Sequence, residues 1–116
     1  MKLELLRKIT NGMTEIEIVS HTGLITEFAI ENRVDFLVRG IRSYKDLQME
    51  LDLSTINRDL VNAKGKTIET VFLPSDAMYS HVSSSLIREL AMFKTRHEGV
   101  LPKEIENEVY DYLINN

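Results

Sequence analysis

Cysteine is absent from this 116-residue sequence, which excludes both a disulfide framework and a zinc site built on thiolates. No apolar run approaches the ~20 residues that a bilayer-crossing helix needs. With 43% apolar and 28% charged residues, the composition is that of a soluble globular chain. Positive charge is not in excess either: the net charge is −4. The broad basic face that nucleic-acid backbone requires is therefore missing, no nucleic-acid or membrane partner is expected, and any anionic ligand must be gripped locally. The N-terminus, Met1-Lys2-Leu3-Glu4-Leu5-Leu6-Arg7, mixes charges and has no small-residue cleavage site, so it does not read as a secretory leader and the cytoplasm is the expected compartment. There is no H-E-x-x-H, no G-x-G-x-x-G after a strand and no G-x-x-x-x-G-K-[ST], and the usual dinucleotide fold and the P-loop NTPases lose support with them. His21, His81 and His97 are too scattered for a metal set, and no internal repeat or low-complexity segment occurs.

The patterns that are present predict one domain over residues 1–116 with an alternating order. Leucines and isoleucine at 3, 5, 6 and 9 suit a short amphipathic helix over Met1 to Thr10. Asn11-Gly12 punctuates, and Glu15-Ile16-Glu17-Ile18-Val19 alternates polar and apolar as a half-buried strand does. A helix is expected from Thr22 to Asn32, with His21-Thr22-Gly23 as the turn into it. Asp35-Phe36-Leu37-Val38 is a continuous apolar strand of the kind covered on both faces. Ser43, with Asp46 three places on, comes close to a capping box for a long helix to about Ala63. Ile68 to Leu73 gives a third strand, Ser83 opens another helix, and Glu104 to Ile114 a last one whose acidic residues read as a solvated face. Met49, Met78 and Met92 read as core or pocket filling. Helices alternating with strands point to an α/β fold with a parallel sheet and crossover helices.

Two segments suit phosphate groups. Arg39-Gly40-Ile41-Arg42 follows a strand, reads as a loop, and carries two arginines able to grip a phosphate with paired hydrogen bonds. The same pattern arises when such arginines are solvated or pair with carboxylates nearby, such as Asp35 or Asp46. Ser83-Ser84-Ser85 stands at a helix start, where unpaired N–H groups favour an anion, and Arg88 is one turn on. An ordinary N-cap with spare serines fits that segment as well. Both segments follow a strand in a doubly wound order, so both are expected to open on the same edge of the sheet.

Together, Phe36-Leu37-Val38-Arg39-Gly40-Ile41-Arg42, the helix with Asp46, Glu50 and Asn57-Arg58, the strand Glu69 to Leu73, and Tyr79-Ser80-His81-Val82-Ser83-Ser84-Ser85-Leu86-Ile87-Arg88-Glu89 resemble the bacterial phosphopantetheine adenylyltransferases in order and spacing. The resemblance runs through Leu101-Pro102 to the C-terminus. It implies a Rossmann-like nucleotidyltransferase fold, three-layer α/β/α with a parallel sheet. The implied reaction transfers the adenylyl group of ATP, with Mg²⁺, to 4'-phosphopantetheine, giving dephospho-CoA and pyrophosphate.

By the same resemblance, Arg39 would hold the phosphate of phosphopantetheine, and the backbone near Leu24 and Ile25 would line its arm. Gly40, Ile41 and Arg42 would contact ATP, as would Glu50 and the loop Tyr79, Ser80, His81, Val82, Ser83, Ser84 and Ser85. CoA is a further expected ligand, and a homohexamer the expected assembly. The family's opening strand with its G-x-F-D-P-x-x-x-G-H loop, and the lysine after its second strand, have no counterpart in these residues. The sequence therefore reads as N-terminally truncated, with exposed strand edges and apolar helix faces. No catalytic residue is assigned in it. Little or no turnover is expected of the chain by itself, the alternatives being a partial sequence of an active enzyme and a non-catalytic nucleotide- or CoA-binding or assembly module.

Overall fold

The computed structural model describes residues 1–116. Along the chain come α1 (Lys2–Ile9), α2 (Ile25–Glu31), β1 (Phe36–Ile41), α3 (Tyr44–Asn62), β2 (Glu69–Pro74), a 3₁₀ turn (Ala77–Tyr79), α4 (Ser84–Met92) and α5 (Glu106–Asn115). None of the helices is long and apolar enough to cross a membrane. Two compact units form, one from His21–Ser80 and one from Met1–Ser20 together with His81–Asn116.

The first unit is a β-α-β crossover of the expected α/β kind. β1 and β2 pair in parallel, with Phe36 opposite Glu69 and Ile41 opposite Pro74. Parallel neighbours need a crossover of a dozen or more residues, and the 19 residues of α3 supply it. Its start is fixed as the sequence predicts: Ser43 has extended backbone, and its Oγ accepts the Asp46 N–H at 3.2 Å. Past its end, Gly65 takes the left-handed φ of +68° that a β-carbon would resist. Ala29, Val61 and Ile68 are buried together, with Ile30, Val34 and Leu37 packed against them. This core ties α2 and α3 to the sheet.

In the second unit Ala91, Val100, Ile105 and Tyr110 are buried. Lys8 of α1 pairs with Glu108 of α5. Arg96 donates to Asn107 Oδ1 at 2.8 Å and Asp111 Oδ1 at 2.5 Å, while its guanidinium lies 5.6 Å from the centre of the Tyr110 ring. α4 begins at Ser83, whose Oγ accepts the Leu86 N–H at 3.1 Å.

Several expectations need correction. Glu15–Val19 forms no strand, and the sheet has two strands rather than three. Alternation gives a segment two chemical faces, but a strand exists only where a neighbour's ladder takes up its backbone groups; the Ile16 N–H instead closes a turn on the Met13 carbonyl at 3.3 Å. β1 runs on to Ile41, so Arg39 and Gly40 lie within a strand and not in a loop. Nor is β1 covered on both faces: Phe36 and Val38 are each 60% exposed. Met49, Met78 and Met92, read as core or pocket filling, are exposed as well.

Candidate functional site

A helix lying on a sheet ordinarily turns its apolar stripe inward. α3 does the reverse over much of its length. Its less exposed positions include Asp46, Glu50, Ser54 and Asn57, three or four residues apart and so on one face, while Met49, Leu53, Ile56 and Leu60 are exposed. The polar face fronts a cavity of about 300 Å³ in the His21–Ser80 unit. Ile25 of α2, Leu37 of β1 and Leu53 of α3 give it apolar walls; Ser54, Asn57 and Thr70 contribute hydrogen-bonding groups; and Arg39 and Glu50 supply opposite charges. Concave, partly apolar cavities with a few polar groups are the usual form of a small-molecule site.

The charge pair is well defined. Arg39 donates from Nε to Glu50 Oε2 and from Nη2 to Glu50 Oε1, both at 2.7 Å, the paired geometry that gives guanidinium–carboxylate contacts their strength. Those hydrogen bonds hold the Glu50 carboxyl below its ordinary pKa against the opposing effect of desolvation, and they raise that of Arg39. One helical turn nearer the start of α3, Asp46 Oδ2 accepts from both Nε and the backbone N–H of Arg42, each at 3.2 Å. The two arginines are thus gathered on carboxylates four residues apart. The carboxylate-pairing alternative holds for Arg42 with Asp46, while the partner of Arg39 is Glu50 and not Asp35.

The remaining expected residues fall as follows. Ile25 lines the cavity, and Leu24 is the exposed residue just before α2. Gly40 has an ordinary φ, and a β-carbon built on it would meet nothing within 4 Å, so the chain's own folding does not demand glycine there. Tyr79 lies in the 3₁₀ turn and Ser80 closes it, its Oγ donating to the Ala77 carbonyl at 2.9 Å; both belong to the same unit as the arginines. His81, Val82, Ser83, Ser84 and Ser85 belong to the other. There Ser83 is the N-cap and Ser84 and Ser85 form the first turn of α4, with His81 and Arg88 exposed. Sequence reasoning assigned no role to Ser54 or Thr70 and missed Glu50 as the partner of Arg39. The i, i+4, i+7 spacing of Glu50, Ser54 and Asn57 was the available signal.

Comparison with known proteins identifies relatives of the chain. Residues 1–90 match the family model described as cytidylyltransferase-like. The chain is 34% identical over 109 residues to a phosphopantetheine adenylyltransferase of Prochlorococcus marinus, covering 94% of this chain and 65% of that protein. It is 30% identical over 114 residues to the one from Clostridium perfringens strain SM101, covering 98% and 67%. A third, from Symbiobacterium thermophilum, is 36% identical over 101 residues, covering 87% and 60%. The chain therefore spans about two thirds of the length of these curated relatives.

Proposed function

The chain belongs to the cytidylyltransferase-like family and is a relative of the phosphopantetheine adenylyltransferases, and from that premise we propose that it forms the substrate-holding part of an adenylyltransferase of coenzyme A biosynthesis. The observation that carries this reading is the cavity beside Arg39, where an apolar wall, a polar helix face and a guanidinium adjoin one another. Such a cavity suits an extended, amide-bearing molecule with a phosphate at one end, which is the chemistry of 4'-phosphopantetheine. Arg39 takes its phosphate, and Ile25 with the backbone near Leu24 borders its arm.

ATP is the second substrate. Its contacts are assigned to Gly40, Ile41, Arg42 and Glu50, and to Tyr79, Ser80, His81, Val82, Ser83, Ser84 and Ser85. In the reaction a phosphate oxygen of the acceptor attacks the α-phosphorus of ATP. A new P–O bond forms as the bond to the β-phosphate bridge breaks, and pyrophosphate leaves. Transfers of this kind are accelerated by alignment and by neutralising charge on the phosphoryl oxygens. Arginines, serine hydroxyls and the N–H groups at the start of α4 fit that task. These groups suit phosphate oxygens rather than a metal, so Mg²⁺ enters with ATP as part of the substrate.

We place the reaction in the cytoplasm and the protein in a homohexamer. The exposed apolar stripe Met49, Leu53, Ile56 and Leu60 supports self-association. Binding of nucleotide or CoA without turnover is the second reading. One experiment tests both. ATP and 4'-phosphopantetheine are titrated calorimetrically into wild type and Arg42→Ala, and formation of dephospho-CoA is followed. Removing a charged hydrogen-bonding group costs about 1.5–3 kcal/mol, so ATP binding in the variant drops roughly 10- to 100-fold. Unchanged ATP binding removes Arg42 from the site; binding without product selects the second reading.

A further inference from the structure

Hydroxyls on the wall of a cavity either serve the protein's own hydrogen bonds or stand ready for a ligand. The two beside Arg39 divide on this count. Ser54 Oγ donates to the Leu51 carbonyl of its own helix at 2.8 Å, the local back-bond by which helical serines are satisfied. The Thr70 side chain also lines the cavity, yet its hydroxyl has no hydrogen-bond partner among the protein's atoms. The ladder fixes where that hydroxyl stands. Thr70 pairs with Leu37 and Phe72 with Arg39, and side chains alternate along a strand, so Leu37, Arg39 and Thr70 share the face that borders the cavity. Val71, on the opposite face, is exposed. Thr70 is thus one pleat behind Arg39, about 6.6 Å back along the strand direction. A half-buried, unpaired hydroxyl at the floor of a partly apolar cavity carries a desolvation cost that an acceptor or donor on a ligand relieves.

We propose that Thr70 is a specificity-determining residue for the acceptor substrate, its hydroxyl hydrogen-bonding the hydroxyl- and amide-bearing stretch that follows the phosphate. This rests on the reading that Arg39 takes that phosphate. In 4'-phosphopantetheine a methylene and a dimethyl-substituted carbon separate the phosphate ester from a secondary hydroxyl and the first amide, a span close to one pleat of the strand. The two methyl groups suit the apolar walls made by Ile25, Leu37 and Leu53. A phosphate carried on a plain hydrocarbon satisfies Arg39 and leaves Thr70 unpaired. Thr70 therefore separates the acceptor from other small phosphate esters, because a site built to bond a polar group discriminates against a ligand that lacks it.

The test titrates 4'-phosphopantetheine and neopentyl phosphate into wild type, Thr70→Val and Thr70→Ser, followed by NMR. Neopentyl phosphate keeps the phosphate and the methyl groups but has neither the hydroxyl nor the amides. Valine keeps the branched shape of threonine and removes its hydroxyl; serine keeps the hydroxyl. One neutral hydrogen bond sets the size of the effect, so 4'-phosphopantetheine binds roughly two- to tenfold more weakly to Thr70→Val and as tightly to Thr70→Ser as to wild type. Neopentyl phosphate binds all three alike. Thr70→Val melts no lower than wild type, since the hydroxyl serves no bond within the fold. Equal binding of 4'-phosphopantetheine to wild type and Thr70→Val overturns the proposal, as does an equal weakening of both ligands, and the functional reading survives either result. Wild type that binds neither ligand refutes the functional reading, and the proposal falls with it.

Discussion

Tyr110 is 0% exposed, and its hydroxyl has no hydrogen-bond partner among the protein's atoms. Replacing it with phenylalanine should therefore stabilise the Met1–Ser20 and His81–Asn116 unit. A buried hydroxyl without a partner costs about 1–3 kcal/mol, and Tyr110→Phe removes that cost. The change also leaves an oxygen-sized gap. A handful of atom contacts at about 0.1–0.2 kcal/mol each puts that loss near ~0.5 kcal/mol, so the net gain is about 1 kcal/mol. For a chain of this size such a gain raises Tm by roughly 4 °C. The stacking of Arg96, 5.6 Å from the ring centre, persists because phenylalanine offers the same π face. Urea unfolding followed by circular dichroism, wild type against Tyr110→Phe at one pH and salt concentration, measures the difference. A loss of 1 kcal/mol or more in the variant refutes the reasoning and means that the hydroxyl is hydrogen-bonded after all.

Ser83→Ala, which removes the oxygen that accepts the Leu86 N–H, should cost about 1 kcal/mol and Ser83→Gly only a few tenths, as read by thermal melts and by amide exchange at Leu86. Val61→Ala, at a position 1% exposed in the core of the other unit, should cost about 2 kcal/mol from lost burial plus the void; a loss under 0.5 kcal/mol in urea would mean that the site collapses around the gap. Acid sensitivity should track Glu50. Its carboxyl is held below the ordinary value by Arg39, so its contribution to stability is complete above the unfolded pKa of about 4.3 and disappears as pH falls through the lower folded value. Glu50→Gln should flatten that part of the stability profile between pH 6 and 2, and a profile parallel to wild type would show that the pair contributes nothing.

Much of the fold was legible because it is written locally. Ser43 and Ser83 announce α3 and α4 by capping chemistry that acts within one turn, and both cap as expected. The serines stand at a helix start as the pattern placed them, whereas of the two arginines only Arg42 follows its strand and Arg39 lies within it. What could not be read depends on neighbours distant in sequence. Glu15–Val19 has the alternation of a strand and forms none, since its pairing is decided by another segment's backbone. Phe36 and Val38 looked buried because apolar runs usually are, and nothing in four residues says how many layers lie above them. The role of α3 was hidden for a related reason. Nothing in its own residues says which face meets the sheet, and the structure puts Glu50, Ser54 and Asn57 against the cavity.

The division into two units also sets the order in which the chain can fold. His21–Ser80 is one uninterrupted stretch, whereas its companion unit is assembled from Met1–Ser20 and His81–Asn116. Bringing those two pieces together closes a loop of about 60 residues, at an entropic cost of about 3–4 kcal/mol beyond a constant term. Pairing β1 with β2 across α3 closes one roughly half as long. The middle of the chain should thus acquire protected amides first, in Val38 and Val61. The Lys8–Glu108 contact, between residues 100 positions apart, carries the larger closure cost and should follow.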